Sequence, residues 1–188
     1  MGNRGGVLHD PGRQIVRPYA SRRWITCLLE FRGRRRVVMS PGRYTELFFL
    51  DEAVAFAAGH RPCAECRRER YNAFRDSWNC AHPHAGAPYL ADRMDEELHR
   101  ARISRRKEKV TYQAPLSSLP DGCFVQIEGS SYLVLGRTLL LWSQAGYLES
   151  RPRPDGLTVT VLTPEPIVGC LRQGYRPEIH ASAGQLPF

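Results

Sequence analysis

The residues best placed to do chemistry are Arg61-Pro62-Cys63-Ala64-Glu65-Cys66-Arg67-Arg68. A C-x-x-C turn lets two thiolates converge on one tetrahedral ion at about 2.3 Å from each sulfur. Pro62 stiffens the approach, and a helix beginning after Cys66 would lower the thiol pKa through its dipole, with the neighbouring arginines pushing the same way. Two thiolates make half a zinc site, so the remaining ligands decide what the site is. Cys27 ranks first among them, because it lies in an apolar stretch able to pack beside the knuckle. His9 and His60 follow. The cluster Cys80, His82 and His84 comes last, because it is separated from the knuckle by the whole length of a helix. The alternative is a metal-free C-x-x-C, redox-active or incidental, although no thioredoxin-like βαβ pattern surrounds it. The other cysteines, Cys123 and Cys170, read as small buried hydrophobes.

Leu47–Arg67, LFFLDEAVAFAAGHRPCAECR, resembles part of the metal-binding domain of the Ada-type DNA alkylation-repair proteins, the likeness covering about residues 44–70. That family has a strand, an A-x-x-A-x-x-A-G-[FY]-R-P-C-x-x-C helix and knuckle, and a basic segment after it. The resemblance implies a zinc site holding Cys63 and Cys66, contacts to DNA phosphates, and methyl transfer from a phosphotriester to a zinc-bound Cys. The family's first Cys pair has no counterpart, since Arg32–Met39 contains no cysteine. Cys27, further upstream, is its only substitute. The P-C-x-x-C string is also similar to that of zinc nucleobase deaminases, which need a Glu two residues after the first ligand. Here Cys27-Leu28-Leu29-Glu30 places the Glu one residue too far. A nuclease reading would use His9-Asp10, His82, His84 or His99 with Asp92 or Asp95, but no H-N-H spacing or paired-carboxylate motif accompanies them. There is no P-loop and no Rossmann glycine string.

Charge points to a partner. The 188 residues carry 27 Lys+Arg against 19 Asp+Glu, and only two of the bases are lysines. The net +8 is uneven: +8 in residues 1–43, −3 in 44–60, +4 in 61–109 and −1 in 110–188. Such an asymmetry is the footprint of a phosphate-binding surface. Arg22, Arg23, Arg34, Arg35, Arg36, Arg67 and Arg68 are the expected phosphate contacts, and Trp24 or Tyr19 could stack on unpaired bases. The bland reading, solvated charge plus a core Trp24, stands beside it. No apolar run approaches the roughly 18 residues of a membrane span, and the first ten residues lack a hydrophobic signal core, so a cytoplasmic protein is expected.

These residues need elements to hold them. Trp24–Phe31 and Arg35–Met39 around Arg32-Gly33-Arg34 read as a hairpin, and Glu46–Leu50 as a third strand. Asp51 is a candidate N-cap for a helix over Glu52–Ala58, stopped by Gly59. Cys66 opens a second helix whose Tyr71, Phe74 and Trp78 form an apolar stripe. A loop over 79–91 precedes a charged helix at 92–104, and Arg105–Lys109 is a basic run ending in a linker. Beyond Pro120-Asp121-Gly122 come strands at Cys123–Glu128, Ser131–Leu135, Thr138–Trp142 and Thr158–Leu162, a helix over Pro164–Gln173, and a loosely held tail over 178–188. One internal similarity links 48–62 with 161–177: strand, cap, helix, Gly, then His or an aromatic, Arg and Pro. The second copy has Glu178 and Ala181 where the first has Cys63 and Cys66.

The sequence therefore predicts an α+β protein with a zinc-knuckle module of β-hairpin and helices over 1–109 and a β-rich module with a C-terminal helix over 110–188. The expected metal ligands are Cys63, Cys66, Cys27 and His60, and the expected cofactor is Zn2+. The expected function is zinc-stabilised nucleic-acid binding, DNA ahead of RNA and without catalysis or membrane association. The alternatives are an enzyme acting on nucleic acid at the metal (methyl transfer, hydrolysis or deamination) and a zinc interaction module for an acidic protein.

Overall fold

Two sheets organise the chain, and they are built on different principles. The computed structural model describes residues 1–33, 37–83 and 90–186. The chain is mixed α+β. In order it comprises β1 (Gly2–Asn3), β2 (Ile25–Thr26), α1 (Glu52–Ala57), β3 (Arg61–Pro62), α2 (Arg68–Ala81), α3 (Ala91–Arg102), β4 (Tyr112–Pro115), β5 (Phe124–Ile127), β6 (Ser130–Leu135), β7 (Thr138–Ser143), β8 (Gly146–Pro152), β9 (Thr158–Val161) and α4 (Glu165–Arg172). Short 3-10 turns occupy Leu116–Ser118 and Ala181–Gln185. No helix among the described residues is long and apolar enough to cross a membrane.

The larger sheet runs β4-β9-β5-β6-β7-β8, all antiparallel. Its centre is covered on both faces, so its strands carry continuous apolar runs: Val125, Val134 and Leu139 belong to one core and Phe124, Leu133 and Leu140 to a second. The sequence reading missed β8, whose Gly-Tyr-Leu-Glu-Ser-Arg-Pro is polar because it is an edge strand. The helices pack against this sheet: Phe56, Tyr71, Phe74, Trp78, Met94 and Leu98 share one core with Leu116, Val125, Val161, Ile167 and Leu171. The expected boundary at 109/110 thus crosses a continuous core.

The smaller sheet is β1-β2-β3, two residues per strand. Here the expected hairpin is corrected. Among the described residues, the only strand between 24 and 39 is Ile25–Thr26, which pairs antiparallel with β1 and parallel with β3. Its physical cause lies just beyond: Cys27 still exchanges hydrogen bonds with Met1, and Leu28 N then donates to Cys66 Sγ at 3.4 Å in place of a hairpin partner. The expected strand over 46–50 shrinks to a bridge in which Leu47 exchanges hydrogen bonds with Gly2. Arg34, Arg35, Arg36 and His84 lie outside the described residues.

Helix α1 starts as expected, with Asp51 Oδ1 accepting from Val54 N at 2.9 Å. Helix α2 runs to Ala81, shortening the expected loop, because its last turn seats His82 on Trp78 and on the Pro166 carbonyl at 3.0 Å. The expected loosely held tail over 178–188 is a further correction: its described part, 178–186, is docked. Glu178 N donates to Glu52 Oε2 at 3.0 Å, His180 N to Asp51 Oδ2 at 3.1 Å, and Ala183 is buried. Backbone donors and buried carboxylates from distant segments hold it, and no local pattern reveals them.

Candidate metal centre

Two segments deliver three thiols to one point: Cys27 follows β2, and Cys63 and Cys66 both follow β3. Parallel pairing of β2 and β3 places Arg61 N on Trp24 O at 3.1 Å and Cys63 N on Thr26 O at 2.9 Å, fixing the knuckle against the end of β2. Cys27 N in turn donates to Met1 O at 2.6 Å. The Sγ atoms of Cys27, Cys63 and Cys66 then lie within 4.8 Å of one another. Cys63 is buried, and Cys27 and Cys66 are half-buried.

Electrostatics within the cluster ask for a cation. The Cys27 thiol donates to Cys63, and the N–H groups of Cys66 and Glu65 add to that, pushing the Cys63 thiol down to about 5 against the opposing effect of burial. Glu65 N lies 3.4 Å from Cys63 Sγ. Having become the donor, Cys27 is pushed up, with burial and the neighbouring sulfurs adding to the effect. Cys66 is pushed up by burial first and then by the charge on Cys63. One thiolate therefore forms readily and the next two are held back by like charge. A divalent ion removes that obstacle, because coordination deprotonates thiols outright. The residues present fit a metal ion, and the closely spaced thiols favour a soft one.

Among the described residues the arrangement brings three potential ligands together. Of the expected set it brings together Cys27, Cys63 and Cys66 and leaves His60 elsewhere. His60 is fully buried between the rings of Trp24 and Phe49, with centroids at 5.5 and 4.7 Å, and neither ring nitrogen has a hydrogen-bond partner. Burial holds it neutral, its pKa driven well down. His9 bonds Thr45 Oγ1 through Nδ1 at 2.6 Å, and Cys80 is exposed. Beside the sulfurs opens a cleft of about 320 Å³, walled by Leu28, Leu29, Phe31, Val38 and Phe48, with Glu46 and Glu65 as its carboxylates. Leu29 is 72% and Phe48 61% exposed, so this apolar rim meets solvent.

The arginines divide into two groups. Arg22 and Arg23 are exposed and make surface ion pairs with Glu96 at 3.3 Å and Asp92 at 3.1 Å. Arg68 is also exposed. Arg67, by contrast, has a side chain only 8% exposed and is paired to Glu52 at 3.3 Å and to Glu178. Three structural arginines escaped the sequence reading. Arg61 is bidentate to Asp95 (Nε–Oδ1 2.8 Å, Nη2–Oδ2 2.7 Å), and both side chains are buried. Arg70 pairs with Glu52, and buried Arg102 caps the Gly59 carbonyl at 2.7 Å. Asp95 and Glu52 are the partners that decide these roles, and they lie far away in sequence from most of what they bind. The apolar neighbours of Glu52 within α1 were its only local signal.

Compared with protein-family models, curated proteins and solved structures, the chain finds no match, and the metal centre rests on its own geometry.

Proposed function

We propose that the protein is a zinc-dependent nucleic-acid-binding protein in which Cys27, Cys63 and Cys66 hold the ion. The observation that carries the zinc reading is the convergence of three thiols from segments separated by more than thirty residues. Bound there, zinc would tie the end of β2 to the start of α2 and supply folding energy. The nucleic-acid reading is supported by the net +8 and by Arg22, Arg23 and Arg68 at the surface. The carboxylate partners of Arg22 and Arg23 are themselves exposed, so those ion pairs are weak and exchangeable for phosphate.

The test is metal content per chain, followed by titration of duplex DNA and single-stranded RNA at rising salt. One zinc per chain is expected, absent from Cys27→Ser and Cys63→Ser. Replacing Arg22, Arg23 and Arg68 with Ala should weaken binding and flatten the salt dependence, each lost phosphate contact removing about 0.9 from the log–log slope. A zinc-free protein, or one that binds neither nucleic acid at low salt, overturns the corresponding half.

One observation favours a second reading, chemistry at the metal. Three ligands among the described residues leave a fourth position, the pattern of catalytic rather than structural zinc, and an apolar cleft adjoins it. Cobalt substitution separates the two. A spectrum that changes when small thiols or azide are added marks an open position, whereas an inert one marks a closed structural site.

A further inference from the structure

A second chamber lies on the other side of the small sheet, where the ends of α1 and α3 meet β5 and β7. It measures about 350 Å³, within the range of pockets that take small molecules. Its wall includes Arg4, Arg102, Lys107 and Lys109, and among the described residues no carboxylate lines it. Trp24, Trp142 and Phe124 supply flat apolar surface.

The cations here are not neutralised as the others are. Arg61, Arg67 and Arg70 each meet a buried carboxylate. Arg4 and Arg102 instead bond backbone carbonyls: Arg4 Nη1 to Pro18 O at 3.2 Å, and Arg102 to Gly59 O at 2.7 Å and to Arg22 O. Lys109 Nζ donates to Ala57 O at 2.5 Å. Capping helix ends accounts for some of these donors and leaves others. Arg4 Nε, Arg102 Nε and Trp142 Nε1 are all buried without a partner. Both guanidinium groups stand over the Trp24 ring, 4.0 and 4.1 Å from its centre. They also repel: burial first, and then the charges of Arg4 and Arg61 against the pull of Asp95, bring Arg102 down to about 9. Like charges gathered in a half-enclosed space with no carboxylate among its lining residues are stabilised by an anion.

We propose that this chamber binds a small organic anion, a phosphate or carboxylate carried on a flat apolar body, with Arg4, Arg102 and Lys109 facing the charge and Trp142 and Phe124 the body. It is independent of the metal centre and of nucleic-acid binding. The phosphate and carboxylate sources share the same chemistry and are separated by the probes.

The experiment is calorimetric titration of the full chain with adenosine 5′-monophosphate, 2-naphthoate, adenosine and inorganic phosphate. Saturable binding of one or both organic anions is expected, at least about tenfold tighter than adenosine or phosphate alone and weakened by salt, since a charge-assisted hydrogen bond is worth about that factor. Preference between the first two identifies the anion. Lys109→Gln, a surface change that leaves the core intact, and Arg4→Gln should each weaken binding about tenfold. Trp142→Phe should weaken it less. The proposal falls if neither organic anion binds, if adenosine or bare phosphate binds as tightly, or if Lys109→Gln binds like the parent.

Discussion

Residues 52–63 and 165–178 follow one backbone plan to different ends. In both, a helix closes on a glycine in the left-handed region, Gly59 at φ +81° and Gly174 at +95°. The next N–H reaches back to the helix, His60 N to Ala55 O at 2.9 Å and Tyr175 N to Cys170 O at 3.1 Å. Arg and Pro follow in each. In the first copy the arginine is buried on Asp95 and the chain runs into β3 and the thiols. In the second, Arg176 is exposed on backbone carbonyls, and Glu178 stands where Cys63 would be, paired to Arg67. The shared plan sets where the chain goes, and the side chains hung on it decide what it does there.

The sharpest break in this comparison lies at its ends. Cys63→Ser should lose the metal and cost more than about 4 kcal/mol in zinc-replete urea denaturation, the range of metal-site losses. Glu178→Gln, exposed at 64% of its side chain, should stay within about 1 kcal/mol of the parent. Equal stability of the two variants would erase the distinction. Next comes arginine: Arg61→Ala leaves Asp95 buried without its partner and should cost about 3–5 kcal/mol, whereas Arg176→Ala should shift the urea midpoint by less than the equivalent of about 0.5 kcal/mol. The glycines should differ less. Both suffer the left-handed penalty of about 1–2 kcal/mol on changing to Ala. A methyl group at Gly59 also stands 2.6 Å from Arg102 Cδ, with only open space at Gly174, so thermal unfolding should show Gly59→Ala worse by at least about 1 kcal/mol. The smallest effects should have opposite signs. Tyr175→Phe removes a 3.0 Å bond to Glu52 and should destabilise by about 1 kcal/mol. His60→Phe removes two unpaired buried nitrogens and should be neutral or stabilising by up to about 1 kcal/mol. A large loss at His60→Phe would show that its ring nitrogens have work to do.

Legibility followed the range of the forces. Asp51 as a cap, Tyr71, Phe74 and Trp78 as a stripe, and the strands β5, β6, β7 and β9 are set within a turn or a pleat, and these could be read from the sequence. That Cys27 would join the C-x-x-C thiols was also legible, because it lies in an apolar stretch able to pack beside the knuckle. The small sheet was not. Its strands are two residues long, and β2 exists because of residues 2–3 and 61–62 rather than its own pattern. The buried arginines were hidden for the same reason. Composition does not tell them from surface ones, yet Arg61, Arg67, Arg70 and Arg102 are spent largely inside, on partners such as Glu52, Asp95 and the Gly59 carbonyl.

The seating of Glu52 has a consequence for synthesis. Its buried carboxylate is bounded by Arg67, Arg70, the Tyr175 hydroxyl and the Glu178 amide. A growing chain has the first two soon after the thiols emerge. The last two arrive only after another 112 residues, counted from Cys66 to Glu178, roughly 5–25 s at ordinary translation rates. Through that interval the three thiols can meet while the carboxylate beside them is still short of two donors. The nascent protein therefore passes through a stage in which the cysteine cluster is formed but not yet fully braced, and the bracing is completed by residues 175–178.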